Sequence, residues 1–192
     1  QEFVAGLSPE ARRHRFFSEC APPCDFLTAL CDSSKPRTQF TLVVTRIWKG
    51  AVRIIAVGSY WSKNEHTAEV AMAVDDEFHG KGLGTLLLER LAFVAIHHGF
   101  TKLWAVTHVD NTAMREVFRE SGFTAQETYE GDEMEVELSL VPTEMTVMRA
   151  ELRERLATTA SLRPFFHPQS VAVIGASRDS KSVGFRLLEA LT

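Results

Sequence analysis

The chain is short of cysteine: three in 192 residues, Cys20, Cys24 and Cys31. They do not form paired CxxC units, and no histidine stands at finger spacing, so a structural zinc site is not expected and no metal is assigned. Small, half-buried thiols in a reducing cytoplasm are the expectation. No apolar run reaches membrane length and no secretory leader is readable, so no membrane partner is expected. The chain lacks a basic excess: its formal net charge is −4, which gives no electrostatic case for nucleic acid. Initial Met is also missing; the chain opens at Gln1 and closes at Thr192 in mid-pattern, so a piece of something longer is expected.

What is present is an ordinary globular composition, 45% hydrophobic and 24% charged. Ser8-Pro9-Glu10 reads as a helix start, with a serine cap, a proline in the first turn and an acid beside it. A short helix is expected near Asp25–Leu30. Three runs rich in β-branched and aromatic residues follow, QFTLVVTRIW (39–48), AVRIIAVGSYW (51–61) and HTAEVAMAV (66–74). Their short connections predict antiparallel neighbours. A helix is predicted from Leu83 to His97, burying Leu83, Leu86, Leu87, Leu91, Val94 and Ala95. KLWAVTHV (102–109) reads as a buried strand, NTAMREVFRESGF (111–123) as a helix capped by Gly122, and EMEVELSL (133–140) as an alternating strand.

Beyond Pro142 the character changes. Residues 142–164 read as a charged linker helix. SVAVIGAS (170–177) with a helix over 183–191 reads as one β–turn–α unit of a parallel-sheet domain. The expected organisation is a first domain over 1–141, the linker, and the truncated start of a Rossmann-like domain over 165–192.

HGKGLGTLLLERL (79–91) places three glycines at alternate positions at a helix start. Such a start offers unpartnered N–H groups and the positive end of a helix dipole, a natural anion site. The spacing fails both GxxxxGK[ST] and GxGxxG, which argues against ATP and NAD. A tight turn without a ligand is the plain alternative. In the preceding run Val70, Met72 and Val74 alternate onto a core face. Glu69, Ala71 and Ala73 face the other way, and the alanines leave room beside the strand. A carboxylate there suits a general base; a solvated strand residue is its plain reading. His108, near Asn111, is a second candidate for cleft chemistry. The other histidines and Trp48, Trp61 and Trp104 are expected to be surface or packing residues, and Asp75-Asp76-Glu77 a solvated turn.

These features resemble the GNAT N-acetyltransferase family. The loop His79-Gly80-Lys81-Gly82-Leu83-Gly84 follows the family's acetyl-CoA loop, with His79 in place of its usual Gln or Arg. Asn111, an amphipathic helix and Ser121-Gly122-Phe123 follow at family spacing, and the likeness spans about residues 1–140. The resemblance implies an α/β (α+β) fold with a mixed, mostly antiparallel sheet flanked by helices, splayed at the family's fourth strand, with its first strand preceding Gln1. Met72, Ala73 and Val74 would hold the pantetheine arm of acetyl-CoA. The groups of His79, Gly80, Lys81, Gly82, Leu83, Gly84 and Thr85 would hold the pyrophosphate, and Asn111 would contact the cosubstrate or support its site. Phe118 stands where many members carry a tyrosine general acid. A narrower likeness, to bacterial Pat-type protein lysine acetyltransferases, rests on LSPEARRHRFF, AEVAMAVDDEFHGKGLGTLLLERL and FHPQSVAVIGAS. It implies Glu69 as base, fusion to a synthetase-like CoA-binding module, and a protein substrate such as an acyl-CoA synthetase with a reactive lysine. A small-amine acetyltransferase and a non-catalytic acyl-CoA sensor are the alternatives.

Overall fold

The computed structural model describes residues 1–141 except 33 and 49, scattered positions between 144 and 159, and residues 179–191. Two units are distinguished, Gln1–Val147 and Met148–Thr192.

The first unit opens with three short helices, α1 (Glu2–Gly6), α2 (Pro9–Phe16) and α3 (Cys24–Leu30). Ser8 caps α2: its Oγ accepts from the Ala11 N–H at 3.1 Å. Then come β1 (Gln39–Trp48), β2 (Ala51–Ser62) and β3 (Thr67–Val74), a 3₁₀ turn (Asp76–Phe78), α4 (Leu83–His97), β4 (Lys102–His108), α5 (Thr112–Ser121), β5 (Thr124–Glu130) and β6 (Glu133–Ser139). The six strands form one sheet in the order β1-β2-β3-β4-β6-β5. Only the β3–β4 contact is parallel.

That contact is also incomplete. It pairs Thr67 with Lys102, Ala68 with Leu103 and Glu69 with Trp104, and stops. Meanwhile β3 stays paired with β2 as far as Val74, and β4 stays paired with β6 as far as His108. Each half keeps a full ladder on its outer side, so the sheet opens between β3 and β4 where the two halves part.

Helix α4 packs on β2 and β3 and against α5, while α2 lies against β3 and β4. The core joins Tyr60, Val70 and Met72 to Leu87, Leu88, Leu91, Leu103, Phe118, Met134, Val136 and Leu138. On α4 the buried face is Thr85, Leu87, Leu88, Leu91, Ala92 and Ala95. The expected face is thus turned: Leu86 is 40% exposed, and Leu88 and Ala92 are inside. In a stretch as apolar as LLLERLAFVAI, broken by Glu89 and Arg90 alone, periodicity does not fix which leucine faces out.

One strand escaped the sequence pattern. In β5 all seven residues are exposed, so TAQETYE carries no alternation; its place comes from pairing with β6. The described positions of 144–159 are helical, and α6 (Val183–Leu191) lies where a helix was expected. Most of the predicted linker, and the predicted strand over 170–177, lie outside the described residues. The three cysteines are free and exposed rather than half-buried.

Candidate active site

A cavity of about 880 Å³ fills the opening between β3 and β4. Its floor and walls include Glu69 through Val74, Ala105 to Thr107, the glycine loop and Asn111. Past Glu69 the inner edge of β3 has no strand partner, so its amide groups face the cavity rather than a ladder. Such an edge suits the amides of an extended chain laid beside it.

At the other end the loop delivers a helix start. Gly80 has φ 67° and Gly82 φ 74°, a left-handed backbone that side chains rarely adopt. The first bond within α4 runs from the Leu86 N–H to the Gly82 carbonyl at 3.0 Å. The N–H groups of Leu83, Gly84 and Thr85 therefore precede the helical ladder and stay open to an anion. Gly84 has a different reason for being glycine. A Cβ there would lie 2.8 Å from Val117 Cγ2, so its bareness lets α5 close on α4. The pattern of three glycines reads alike in sequence, but only two are turned by backbone conformation.

The expected residues meet in this cavity with one exception. Glu69, Met72, Ala73, Val74, His79, Gly80, Gly82, Leu83, Gly84, Thr85 and Asn111 all line it. Lys81 does not. Its ammonium donates to the Glu77 carbonyl at 2.8 Å and rests 4.5 Å from the Phe78 ring centre, turned back over the 3₁₀ turn. His79 bonds through Nε2 to the Val74 carbonyl at 2.9 Å and so fastens the loop to the end of β3. Asn111 is engaged at both ends of its amide. Its Oδ1 accepts from the Met114 N–H at 3.0 Å, capping α5, and its Nδ2 donates to Thr107 Oγ1 at 3.0 Å.

Asp75, expected in a solvated turn, is buried and paired with Arg53, and accepts from the Glu77 N–H. Asp76 anchors α2 to the 3₁₀ turn by accepting from the Ser8 N–H at 3.0 Å and Ser8 Oγ at 2.9 Å. Partial burial works to raise its carboxyl pKa, but the Ser8 bonds and nearby His79 win and hold it below the ordinary value. His108 is buried, with its ring 4.8 Å from that of Phe17 and 5.9 Å from that of His14. It stands outside the lining of the cavity.

The end beyond Glu69 was not legible as a site. It is walled by Arg15, Phe16, Pro22, Pro23, Phe26 and Trp61. Phe26 stacks on Trp61 at 6.1 Å and meets Phe16 edge-on at 6.2 Å. The spacing of Ala11, His14 and Arg15 on α2, one helical face, is the only sequence signal that points there.

A strand-edge groove running into an open helix N-terminus is a site for a long chain ending in phosphate. A profile of the acetyltransferase (GNAT) family matches residues 9–123. The chain belongs to that family. As a GNAT acetyltransferase it is an acyltransferase with acetyl-CoA as donor. It is 29% identical over 129 residues to an acetyltransferase of Pseudomonas aeruginosa, covering 66% of this chain and 68% of that protein. Its fold matches the GNAT domain of S. lividans PAT at a TM-score of 0.63, with 24% identity over 72% of this chain and 81% of that one. It also matches yncA of Salmonella typhimurium, solved with acetyl-CoA, at a TM-score of 0.56, with 22% identity over 71% and 86% of the two chains. The residues present fit the donor. β3 has an edge without a strand partner past Glu69, and α4 begins with open N–H groups, which suit an amide-bearing chain that ends in phosphate.

Proposed function

We propose that the chain transfers the acetyl group of acetyl-CoA to a lysine side chain of a protein by direct attack, with Glu69 as general base. The observation that carries this reading is the position of Glu69. It is the last β3 residue paired to β4, so its carboxylate stands where the donor groove meets the aromatic end of the cavity. A lysine ammonium has a reference pKa near 10.4 and must lose a proton before its nitrogen can attack a thioester. Phe16, Phe26 and Trp61 offer apolar walls for the four-carbon stem of lysine, with the charged head delivered to Glu69. Glu69 takes the proton, directly or through one water. Acetyl-CoA supplies an activated acyl group and a thiolate leaving group.

Phe118, at the place of the family's tyrosine, is 2% exposed in the core, and its ring has no proton to give. The leaving thiolate is protonated by water in this reading. On the same footing, residues 142–164 serve as a linker helix, and residues 165–192 open a CoA-binding Rossmann-like unit. The acceptor is a protein such as an acyl-CoA synthetase.

The deciding experiment is acetylation of a lysine peptide by Glu69→Gln. Turnover is expected to fall by roughly 10²–10⁴ with acetyl-CoA affinity unchanged, the range for loss of a general base. Undiminished turnover removes Glu69 from the mechanism.

A further inference from the structure

Arg15 is the one cation that lines the aromatic end of the cavity beside Glu69 among the described residues. Its guanidinium carbon lies 5.0 Å from the Phe16 ring centre and 5.8 Å from that of Trp61. Aromatic faces hold such a cation in place without using its N–H donors. Among the described residues Arg15 makes no hydrogen bond and no direct ion pair, not even with Glu69, although the two attract each other electrostatically. Elsewhere on the same helix Arg12 and Arg13 are engaged, by the Glu19 carbonyl and the Asp110 carboxylate. A guanidinium carries five donors in a planar fork that matches a carboxylate. Burial draws its pKa down to about 10, so it stays charged at neutral pH while partly stripped of water. A desolvated, aromatic-backed fork with idle donors is the arrangement that binds a carboxylate strongly.

A cation with idle hydrogen-bond donors works against lysine in an acceptor site. The incoming ammonium would meet a like charge, which costs binding unless the acceptor brings a compensating anion.

We propose that Arg15 forms a carboxylate subsite at the acceptor end of the cavity, selecting lysines that have an aspartate or glutamate beside them in the substrate. This rests on the lysine reading above. The ammonium goes to Glu69 and the neighbouring carboxylate to Arg15, so one acceptor segment neutralises both fixed charges. Arg15 then sets specificity and takes no part in the proton transfer.

The test uses the full chain saturated with CoA, and paired peptides with Asp and Glu flanking a lysine or with Asn and Gln in their place. Calorimetry is expected to show the acidic peptide binding about tenfold or more tightly, as for a charge-assisted hydrogen bond. Arg15→Gln is expected to erase that difference with acetyl-CoA affinity unchanged, and Arg15→Lys to keep part of it. Turnover with acetyl-CoA is read on the same pairs. Equal affinity for both peptides in the unaltered protein, or a preference that survives Arg15→Gln, overturns the subsite. If both peptides are acetylated with equal affinity, lysine acetylation stands and the subsite falls. If the acidic peptide binds preferentially but neither is acetylated, the subsite stands and the lysine reading falls.

Discussion

Two glycines four positions apart do different physical work. Gly80 and its near neighbour Gly82 supply a left-handed backbone, with open space where a side chain would project. Gly84 sits in ordinary helical backbone and is bare because Val117 occupies the place of its Cβ. These causes predict separable variants. Gly84→Val drives two methyl groups into a β-branched neighbour that has one preferred rotamer in a helix. It is expected to cost about 1–3 kcal/mol in urea unfolding, the range for overpacking. Adding Val117→Ala should return part of that loss, a coupling measured by a double-mutant cycle. Gly82→Glu places a strained backbone and a negative charge, the sign of the phosphates themselves, at the open end of α4. It is expected to abolish acetyl-CoA binding in calorimetry while thermal stability falls far less. Normal binding by Gly82→Glu would refute the phosphate role of this helix start.

At the scale of elements, the two ends of the cavity are tied together by a small joint. Ser8 caps α2 and also donates twice to Asp76, which stands in the turn ahead of the glycine loop. Helix α2 carries Arg15, so the joint fixes the Arg15 wall of the cavity relative to the loop. Because the Asp76 carboxyl titrates lower in the folded protein than its ordinary value of 3.8, its contribution is present above that pH and lost as pH falls below it. Asp76→Asn is therefore expected to lower the thermal midpoint at pH 7 and to raise the KM for the acceptor. The stability gap should close as pH is taken below about 4, where the unaltered protein also loses its carboxylate. A gap of constant size down to acid pH would assign the effect to packing instead. Strand β5 makes a complementary point about elements: its seven exposed residues are ordered by a neighbour, so no local pattern announces it.

Across the whole first unit, Tyr60 joins three distant segments. It is fully buried on β2, its hydroxyl donates to the Pro36 carbonyl at 2.7 Å, and it meets His98 Nδ1 at 2.7 Å beyond the end of α4. With the O–H given to Pro36, His98 is the donor in the second bond. Burial pushes the phenol up to about 12 from its ordinary 10. A pKa raised on folding gives stability that is whole below pH 10 and fades as pH climbs toward 12. Arg15, lowered to about 10 from 12.5, works with the opposite sign: the cost of burying its charge is relieved over the same rise. The comparison with Tyr60→Phe isolates the tyrosine. The unaltered protein is expected to be the more stable at pH 9 by urea unfolding, with the gap narrowing between pH 10 and 12. A gap independent of pH would show that the phenol ionises without reference to the fold.

Sequence alone determined the elements with strong local causes. Ser8-Pro9 started α2, Gly122 ended α5 in a left-handed turn, and the alternation in AEVAMAV separated Glu69 from the core face. It also gathered the residues of β3, the glycine loop and the start of α4 that line one cavity, because a strand, a glycine turn and a helix start are contiguous in the chain. Tertiary structure decided what depends on partners far away in sequence. The opening between β3 and β4 exists because each strand keeps a different outer neighbour, which neither strand encodes by itself. Arg15 and Trp61 stand on the same cavity as Glu69 only once α2 lies across the sheet. Their placement there is set by the packing of α2 on β3 and β4, a property of the folded neighbourhood rather than of the residues.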